Sequence, residues 1–263
     1  MITSTANKQV KELAQLIKKA KARKEQKVFV VEGIRMFLEA PKEWVQAVYA
    51  SESFLKEAAH RECLAGYAYE ELSDSVFASV SDTKTPQGIL CVVRMPEYKK
   101  EELFSRENGL YLVLESIQDP GNLGTMFRTG EGAGISGVIL NRTTVDLFNP
   151  KTIRSTMGSI YRVPFYIADN FAETIRDMKQ KGIRTYAAHL EGKKSYDGFD
   201  YRGSSAFLIG NEGNGLSDEI ASLADTYIRI PMAGQVESLN AAMASGILMY
   251  EAARQRRGSC EAI

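Results

Sequence analysis

An α/β fold built in two parts is predicted by three observations. Between residues 108 and 257, short hydrophobic runs end in Gly-, Asn- or Pro-rich turns and are followed by helix-type segments, the pattern of a parallel sheet with crossover helices. Residues 1–105 carry a second, shorter alternation of the same kind. The charged stretch MPEYKKEELFSREN, residues 95–108, reads as a linker between them. The expected domains are therefore 1–105 and 106–263.

Taken in order, the chain opens on an amphipathic basic helix and passes into the strand Val28–Val31, which ends in Glu32-Gly33. Ile34–Glu39 makes a short helix. Strands follow at Trp44–Tyr49 and Gly88–Val93, with helices around Ser53–Arg61 and Asp74–Val80. Beyond the linker, Tyr111–Ile117 is a strand that meets the turn Asp119-Pro120-Gly121. Asn122 is placed to cap the next helix, and Gly137–Leu140 is the following strand. Ile183–His189 and Ala206–Ile209 are further strands. The second of these ends in Gly210-Asn211-Glu212-Gly213-Asn214-Gly215, a loop whose three glycines let the backbone approach a ligand closely. The same loop also reads as an ordinary strand-to-helix turn, with Ser217 as cap. Tyr227–Ile230 runs into Pro231 and a Gly234 turn, and Ser238 is expected to cap the last helix. That helix carries no charge before Glu251, so it is buried on all sides or pressed against a partner. Asn240, one turn inside it, needs a polar partner, which a ligand or a neighbouring loop would supply.

Composition excludes several classes. The chain has 263 residues, with 33 Lys+Arg against 33 Asp+Glu, so bulk charge neither favours nor disfavours nucleic acid. Distribution says more: from Lys8 to Lys27, eight basic residues face only Glu12 and Glu25, a local excess of six. Such a run reads as a solvated helix face or as the footprint of phosphate contact. Cys63, Cys91 and Cys260 are scattered and the only histidines are His60 and His189, so no metal-ligand spacing exists and a reducing cytoplasm is expected. No apolar leader and no stretch near 20 apolar residues is present, so neither secretion nor a membrane span is expected. Gly132, Gly134 and Gly137 fit the G-x-G-x-x-G spacing, but a helix precedes them and a strand follows. A dinucleotide site needs the reverse order, which removes a nucleotide-binding oxidoreductase from the leading readings.

Three motifs stand in register: Asn122 to Arg128 after a strand, Ile209 to Leu216 (IGNEGNGL), and Ile230 to Asn240 (IPMAGQVESLN) opening an apolar helix. Together they resemble the SpoU/TrmH family of RNA ribose methyltransferases, in the SPOUT superfamily. The segment 149–164 also looks like that family's second helix and the strand after it. The resemblance covers residues 108–257. The leading domain is similar to the ribosomal-protein-like RNA-binding domain of the family's ribosomal RNA enzymes, with VVEG (30–33) and Thr85-Pro86-Gln87-Gly88 at its marker positions.

What the resemblance implies is specific. The fold is a trefoil-knotted α/β methyltransferase domain preceded by a smaller α/β RNA-binding domain. The methyl donor is S-adenosylmethionine, and the acceptor is a ribose 2′-hydroxyl, with 23S ribosomal RNA as the expected substrate. A tRNA 2′-O-methyltransferase and a catalytically silent RNA-binding protein of the same fold are the alternatives. Catalytic roles fall on Arg128, Asn122, Glu212, Ser238 and Asn240. The cofactor is expected against Leu190, Ile209, Gly210, Asn211, Gly215, Ile230, Met232 and Leu239, where a bulky residue at Gly210 would block the cleft. RNA contacts are expected at Lys18, Lys19, Lys21, Arg23, Lys24 and Arg154. Family members pair through the last helix, which implies a homodimer; no metal and no membrane partner are implied.

Overall fold

The computed structural model describes residues 1–257; Cys260 lies outside them. In chain order the elements are α1 (Lys8–Lys18), α2 (Ala20–Gln26), β1 (Val28–Glu32), α3 (Ile34–Glu39), β2 (Val45–Ser51), α4 (Glu52–Lys56), α5 (Ala58–Cys63), β3 (Glu70–Leu72), α6 (Asp74–Val80) and β4 (Ile89–Arg94). Then come α7 (Lys100–Leu103), β5 (Leu110–Leu114), α8 (Pro120–Ala133), β6 (Gly137–Asn141), α9 (Pro150–Thr156), β7 (Phe165–Ala168) and α10 (Phe171–Gln180). The remainder is β8 (Arg184–Ala188), β9 (Lys194–Ser195), β10 (Ser205–Ile209), α11 (Asp218–Ser222), β11 (Thr226–Arg229) and α12 (Ala241–Arg257).

The chain divides into two compact units. One comprises Met1–Glu97 with Asp146–Tyr161, the other Tyr98–Val145 with the chain from Arg162 onward. The first holds a four-stranded sheet in the order β1-β4-β2-β3, antiparallel except for β2 with β3. Its core is Val10, Leu13, Leu16 and Ile17 of α1 packed on Val28, Val30, Tyr49, Leu90 and Val92 of the sheet. The i, i+3, i+6/7 spacing of those α1 residues is what turns one helix face inward.

The segment 146–161 belongs with this first unit for physical reasons. Phe148 and Tyr161 stack beside Phe29 of β1, with ring centroids 5.0 and 6.4 Å away. Tyr161 Oη donates to the Met36 carbonyl at 3.0 Å. Arg23 corrects an expectation. It was expected to contact RNA, but it is 3% exposed. Its Nη1 donates to the Leu16 and Ile17 carbonyls (2.6 and 2.9 Å), and its Nε donates to Asp146 Oδ2 (3.2 Å). The basic run breaks at Lys19 between α1 and α2, and that break turns Arg23 inward while Lys18, Lys19, Lys21 and Lys24 stay exposed. Removing one member of such a pair strands the other's charge. Arg23→Ala should therefore lower unfolding stability by about 3 kcal/mol in urea denaturation, with RNA affinity unchanged once the protein is folded. An equally stable variant with weakened RNA binding would restore the surface role.

The second unit is a seven-stranded sheet in the order β7-β6-β5-β10-β8-β11-β9, and every pairing in it is parallel. β5 and β10 are buried along their whole length, as parallel strands covered on both faces must be. The stretch 95–108 is more than a linker: α7 lies in it, and Leu103 and Phe104 are buried in this unit's core, with Tyr111 Oη donating to the Leu103 carbonyl at 2.5 Å. β5 ends at Leu114, before the expected Ile117, because Ser116 takes a left-handed backbone (φ 57°). α12 packs along α8 at close range. A Cβ at Gly246 would lie 3.3 Å from Thr129, and one at Gly130 would lie 3.5 Å from Met249. Its last turn is closed by Arg256, whose guanidinium donates to the carbonyls of Tyr201, Asn108 and Gly203 at 2.7–2.9 Å. The helix is not buried all round: Met243 and Tyr250 are exposed.

Candidate active site

The glycine loop after β10 is a fixed structure. Asn211 and Gly215 exchange backbone hydrogen bonds of 2.9 Å in both directions. Asn211 Oδ1 accepts from the Gly213 and Asn214 amides (2.9 and 3.0 Å), while its Nδ2 donates to the Ser116 carbonyl (2.8 Å). Gly215 has φ 71°, a conformation a side chain would strain. Beyond the loop, Ser217 caps α11 and is itself held by Glu115, which accepts from its amide (2.8 Å) and its hydroxyl (2.7 Å).

This frame presents Glu212 to the start of α8. Its carboxylate accepts from the Gln118 amide (3.0 Å), the Asp119 amide (3.1 Å) and Asn122 Nδ2 (3.0 Å). Burial pushes its pKa up, but these three donors together with its own backbone amide outweigh that and hold it below the usual glutamate range. Asn122 Oδ1 in turn accepts from Asn240 Nδ2 at 3.1 Å, and Asn240 Oδ1 accepts from the Ala242 and Met243 amides (2.9 and 3.3 Å). The polarity of this chain is self-consistent. An ionised Glu212 only accepts, so Asn122 turns its NH₂ toward it and leaves its oxygen for Asn240. All three sequence motifs meet in one hydrogen-bonded line.

Two caps differ from expectation. Asp119, not Asn122, caps α8, accepting from the Asn122 amide at 2.8 Å with Pro120 at the first helical position. Asn240, not Ser238, caps α12; the helix begins at Ala241, and its Oδ1 satisfies the first orphan amides. Asn122 and Asn240 are thereby placed at helix starts with amide groups still available to each other.

A cleft of 310 Å³ opens beside the loop. Leu190, Ile209, Gly210, Asn211, Gly215, Ile230, Met232 and Leu239 all line it, as do Glu212 and Ser238. Asn122, Asn240 and Arg128 are not among its lining residues. Its lining sets aliphatic side chains (Leu190, Ile209, Ile230, Met232, Leu239) beside polar ones (His189, Asn211, Glu212, Arg229, Glu237, Ser238). A Cβ at Gly210 would lie 2.0 Å from Gly215 C and 2.1 Å from Leu216 N, so only glycine fits there. A cleft of aliphatic side chains with a few convergent polar groups suits a molecule such as S-adenosylmethionine, which joins a flat heteroaromatic ring to polar and charged groups. Arg128 lies on α8, exposed, with no hydrogen bond or ion pair among the described residues. Arg154 is half-buried, with Nη2 donating to Asp82 Oδ2 at 2.8 Å. Among the described residues no group of His, Cys, Asp and Glu gathers as metal ligands, and no helix is long and apolar enough to cross a membrane.

Sequence reasoning missed Glu115, Gln118 and Asp119, which hold the loop and Glu212. The Asp-Pro-Gly turn was a readable cap signal for Asp119. The roles of Glu115 and of the Gln118 amide depend on contacts more than 90 residues away, and nothing local marks them.

The family described as "SpoU rRNA Methylase family" matches residues 109–250, and "MRM3-like substrate binding domain" matches residues 7–91. Over 251 residues the chain is 34% identical to the 23S rRNA (guanosine(2553)-2′-O)-methyltransferase RlmP of Bacillus subtilis (strain 168), covering 95% of this chain and 97% of that protein. An AdoMet-bound rRNA methyltransferase from Sinorhizobium meliloti superposes with a TM-score of 0.84 at 33% identity, over 96% of this chain and 97% of the other. The SpoU methyltransferase AviRb from Streptomyces viridochromogenes, in complex with AdoMet, gives 0.87 at 27% identity, over 95% and 98%.

Proposed function

The chain belongs to the SpoU rRNA methylase family, and on that premise we propose that it transfers a methyl group to a ribose 2′-hydroxyl of 23S ribosomal RNA. It is an S-adenosylmethionine-dependent RNA 2′-O-methyltransferase. The observation that carries the reading is the line Asn240–Asn122–Glu212, whose Glu212 also lines the cleft. When bound, the cofactor supplies an electrophilic methyl on a sulfonium.

The chain's own residues do the rest. The cleft residues named above hold the donor by packing and backbone hydrogen bonds, with Gly210 allowing the closest approach. Glu212 fixes Asn122, and Asn122 with Asn240 fixes the N-terminal ends of α8 and α12. Ser238 stands on the cleft wall as a hydroxyl able to orient the ribose. Arg128, unpaired, grips a substrate phosphate and ribose through its planar fork and stabilises the alkoxide as it develops. Because no covalent intermediate is needed, positioning carries the catalysis; well-oriented reactions gain roughly 7–11 kcal/mol this way. Lys18, Lys19, Lys21 and Lys24 offer exposed phosphate contacts. The first unit, Met1–Glu97 with Asp146–Tyr161 rather than 1–105 alone, is read as the substrate reader. The trefoil knot of the family is read for the second unit. The enzyme is read as cytoplasmic.

The active form is read as a homodimer, since α12 leaves Met243 and Tyr250 on an exposed apolar face and closed two-fold pairs are the commonest oligomers. Light scattering at micromolar concentration should report about twice 29.2 kDa; an active monomer would refute this. The deciding experiment is transfer of labelled methyl to deproteinised 23S rRNA and to tRNA, followed by mapping of the modified ribose. Label in 23S rRNA at one 2′-oxygen is expected, and label in tRNA alone would overturn the substrate. Deleting residues 1–105 is a poor test of their role, because Phe148 and Tyr161 would lose the aromatic contact of Phe29.

A further inference from the structure

A second cleft, of 250 Å³, lies wholly within the first unit. Its chemistry is unlike that of the donor cleft. Arg154 lines it and carries the one buried side-chain nitrogen or oxygen without a partner among the described residues: Nη1 has no acceptor, while Nη2 is held by Asp82. A buried guanidinium nitrogen is costly to leave unsatisfied, so Nη1 is a donor that an acceptor in this cleft would stabilise. Gln87 adds a second donor at the cleft's exposed mouth: its Oε1 accepts from the Ile34 amide at 3.0 Å, which leaves Nε2 free of partners among the described residues.

Glu32 supplies the opposite polarity. Its Oε1 accepts from Ser81 Oγ and Thr83 Oγ1, both at 2.6 Å, and its Oε2 accepts only the Asp82 amide at 3.2 Å. The carboxylate is fixed in place with acceptor capacity left on Oε2. Gly33, with φ 102°, keeps the mouth open, since a Cβ there would lie 2.8 Å from Gln87 Oε1. The thioethers of Met36 and Met157 provide polarisable apolar lining that suits contact with an aromatic ring.

Two donors and one fixed carboxylate in a small cleft with thioether lining match a planar ring that offers acceptors along one edge and donors along another. Guanine offers N7 and O6 as acceptors, the pair arginine reads most often, and N1–H and the 2-amino group as donors to a carboxylate. Adenine offers the carboxylate no N1–H. We infer that this cleft is a recognition subsite for a single unpaired guanine of the RNA substrate, read by Arg154 and Gln87 on one side and Glu32 on the other. The inference rests on the RNA-methyltransferase reading and names a contact remote in sequence from the donor cleft. Recognition of an unstacked base on its polar edges is how sequence is read in RNA.

The test uses the full chain and fluorescent pentaribonucleotides. AAGAA should bind at least about tenfold tighter than AAAAA, the discrimination one good bidentate base contact gives. Replacing the guanine by 7-deazaguanine, which lacks the N7 acceptor, or by inosine, which lacks the 2-amino group, should each remove most of that preference. Gln87→Glu keeps the acceptor for Ile34 but replaces the donor, and it should bring AAGAA down to AAAAA. Equal binding of AAGAA and AAAAA, indifference to both base analogues, or a preference that survives in Gln87→Glu overturns the subsite. A free guanosine monophosphate that binds as tightly as AAGAA also overturns it, in favour of a small-nucleotide site. Methyl-donor affinity, measured calorimetrically on the same samples, reports on the enzyme reading separately: a wild-type protein that reads guanine but takes up no donor would sink that reading and leave this one standing.

Discussion

Arg128→Ala should lower kcat/KM for RNA by at least about a hundredfold, or ~2.7 kcal/mol of transition-state stabilisation, while leaving donor affinity within about twofold. Arg128 has no hydrogen bond or ion pair to lose among the described residues and does not line the donor cleft. Thermal stability should therefore stay at the wild-type value. On the proposed mechanism the variant removes the positive fork that grips phosphate and stabilises the charge developing on the 2′-oxygen, and single groups of that kind are worth about 10²–10³ in rate. Arg128→Lys should recover only part of the loss, because an ammonium is a point charge without the bidentate plane. A variant that retains more than about a tenth of wild-type kcat/KM, under 1.4 kcal/mol, removes Arg128 from the centre of the mechanism.

The site was legible in the sequence wherever its residues act through the backbone they sit on. Gly210, Asn211 and Gly215 read as a loop because glycine and asparagine are what such a loop requires, and the loop indeed closes on itself through Asn211 and Gly215. The buried strands were legible for the same local reason: continuous apolar runs such as Leu110–Leu114 and Ser205–Ile209 lie between helices on both faces. Illegible were the facts that depend on partners far along the chain. Arg23 counts as one more charge in a basic run until Asp146, 123 residues on, takes it out of solvent. Residues 146–161 lie in the second half of the sequence yet pack with the first unit, because Phe148 and Tyr161 find their aromatic neighbour in β1. The shift of the α12 cap from Ser238 to Asn240 is a different kind of miss. Both residue types cap well, and Asn240 is the one whose remaining NH₂ also meets Asn122.

Gly210→Ala should abolish measurable donor binding, and the reason is not the one the sequence suggests. A larger side chain there was expected to fill the cleft; the geometry makes even one methyl group intolerable. Its Cβ would lie 2.0–2.2 Å from the backbone of Gly215 and Leu216, far inside any contact distance. Backbone, unlike a flexible side chain, cannot swing aside. Gly215 is tied to Asn211 in both directions, Asn211 to Ser116, and Ser217 to Glu115. Moving the loop therefore pulls Glu212 away from Gln118, Asp119 and Asn122 and breaks the line to Asn240. Overpacking of this kind costs about 1–3 kcal/mol in stability, which leaves enough folded protein to measure. Calorimetry should find the donor Kd raised by at least about a hundredfold, ~2.7 kcal/mol. Gly213→Ala is the internal control: it is in the same loop, but the nearest atom to its added Cβ is Asn211 Oδ1 at 3.5 Å, an ordinary contact. It should bind donor within about threefold of wild type, a difference under ~0.7 kcal/mol. If Gly213→Ala were as damaging as Gly210→Ala, the loop would be sensitive throughout and the Gly210–Gly215 crossing would not be the cause. If Gly210→Ala bound donor normally, the cleft beside that crossing would not be the donor site.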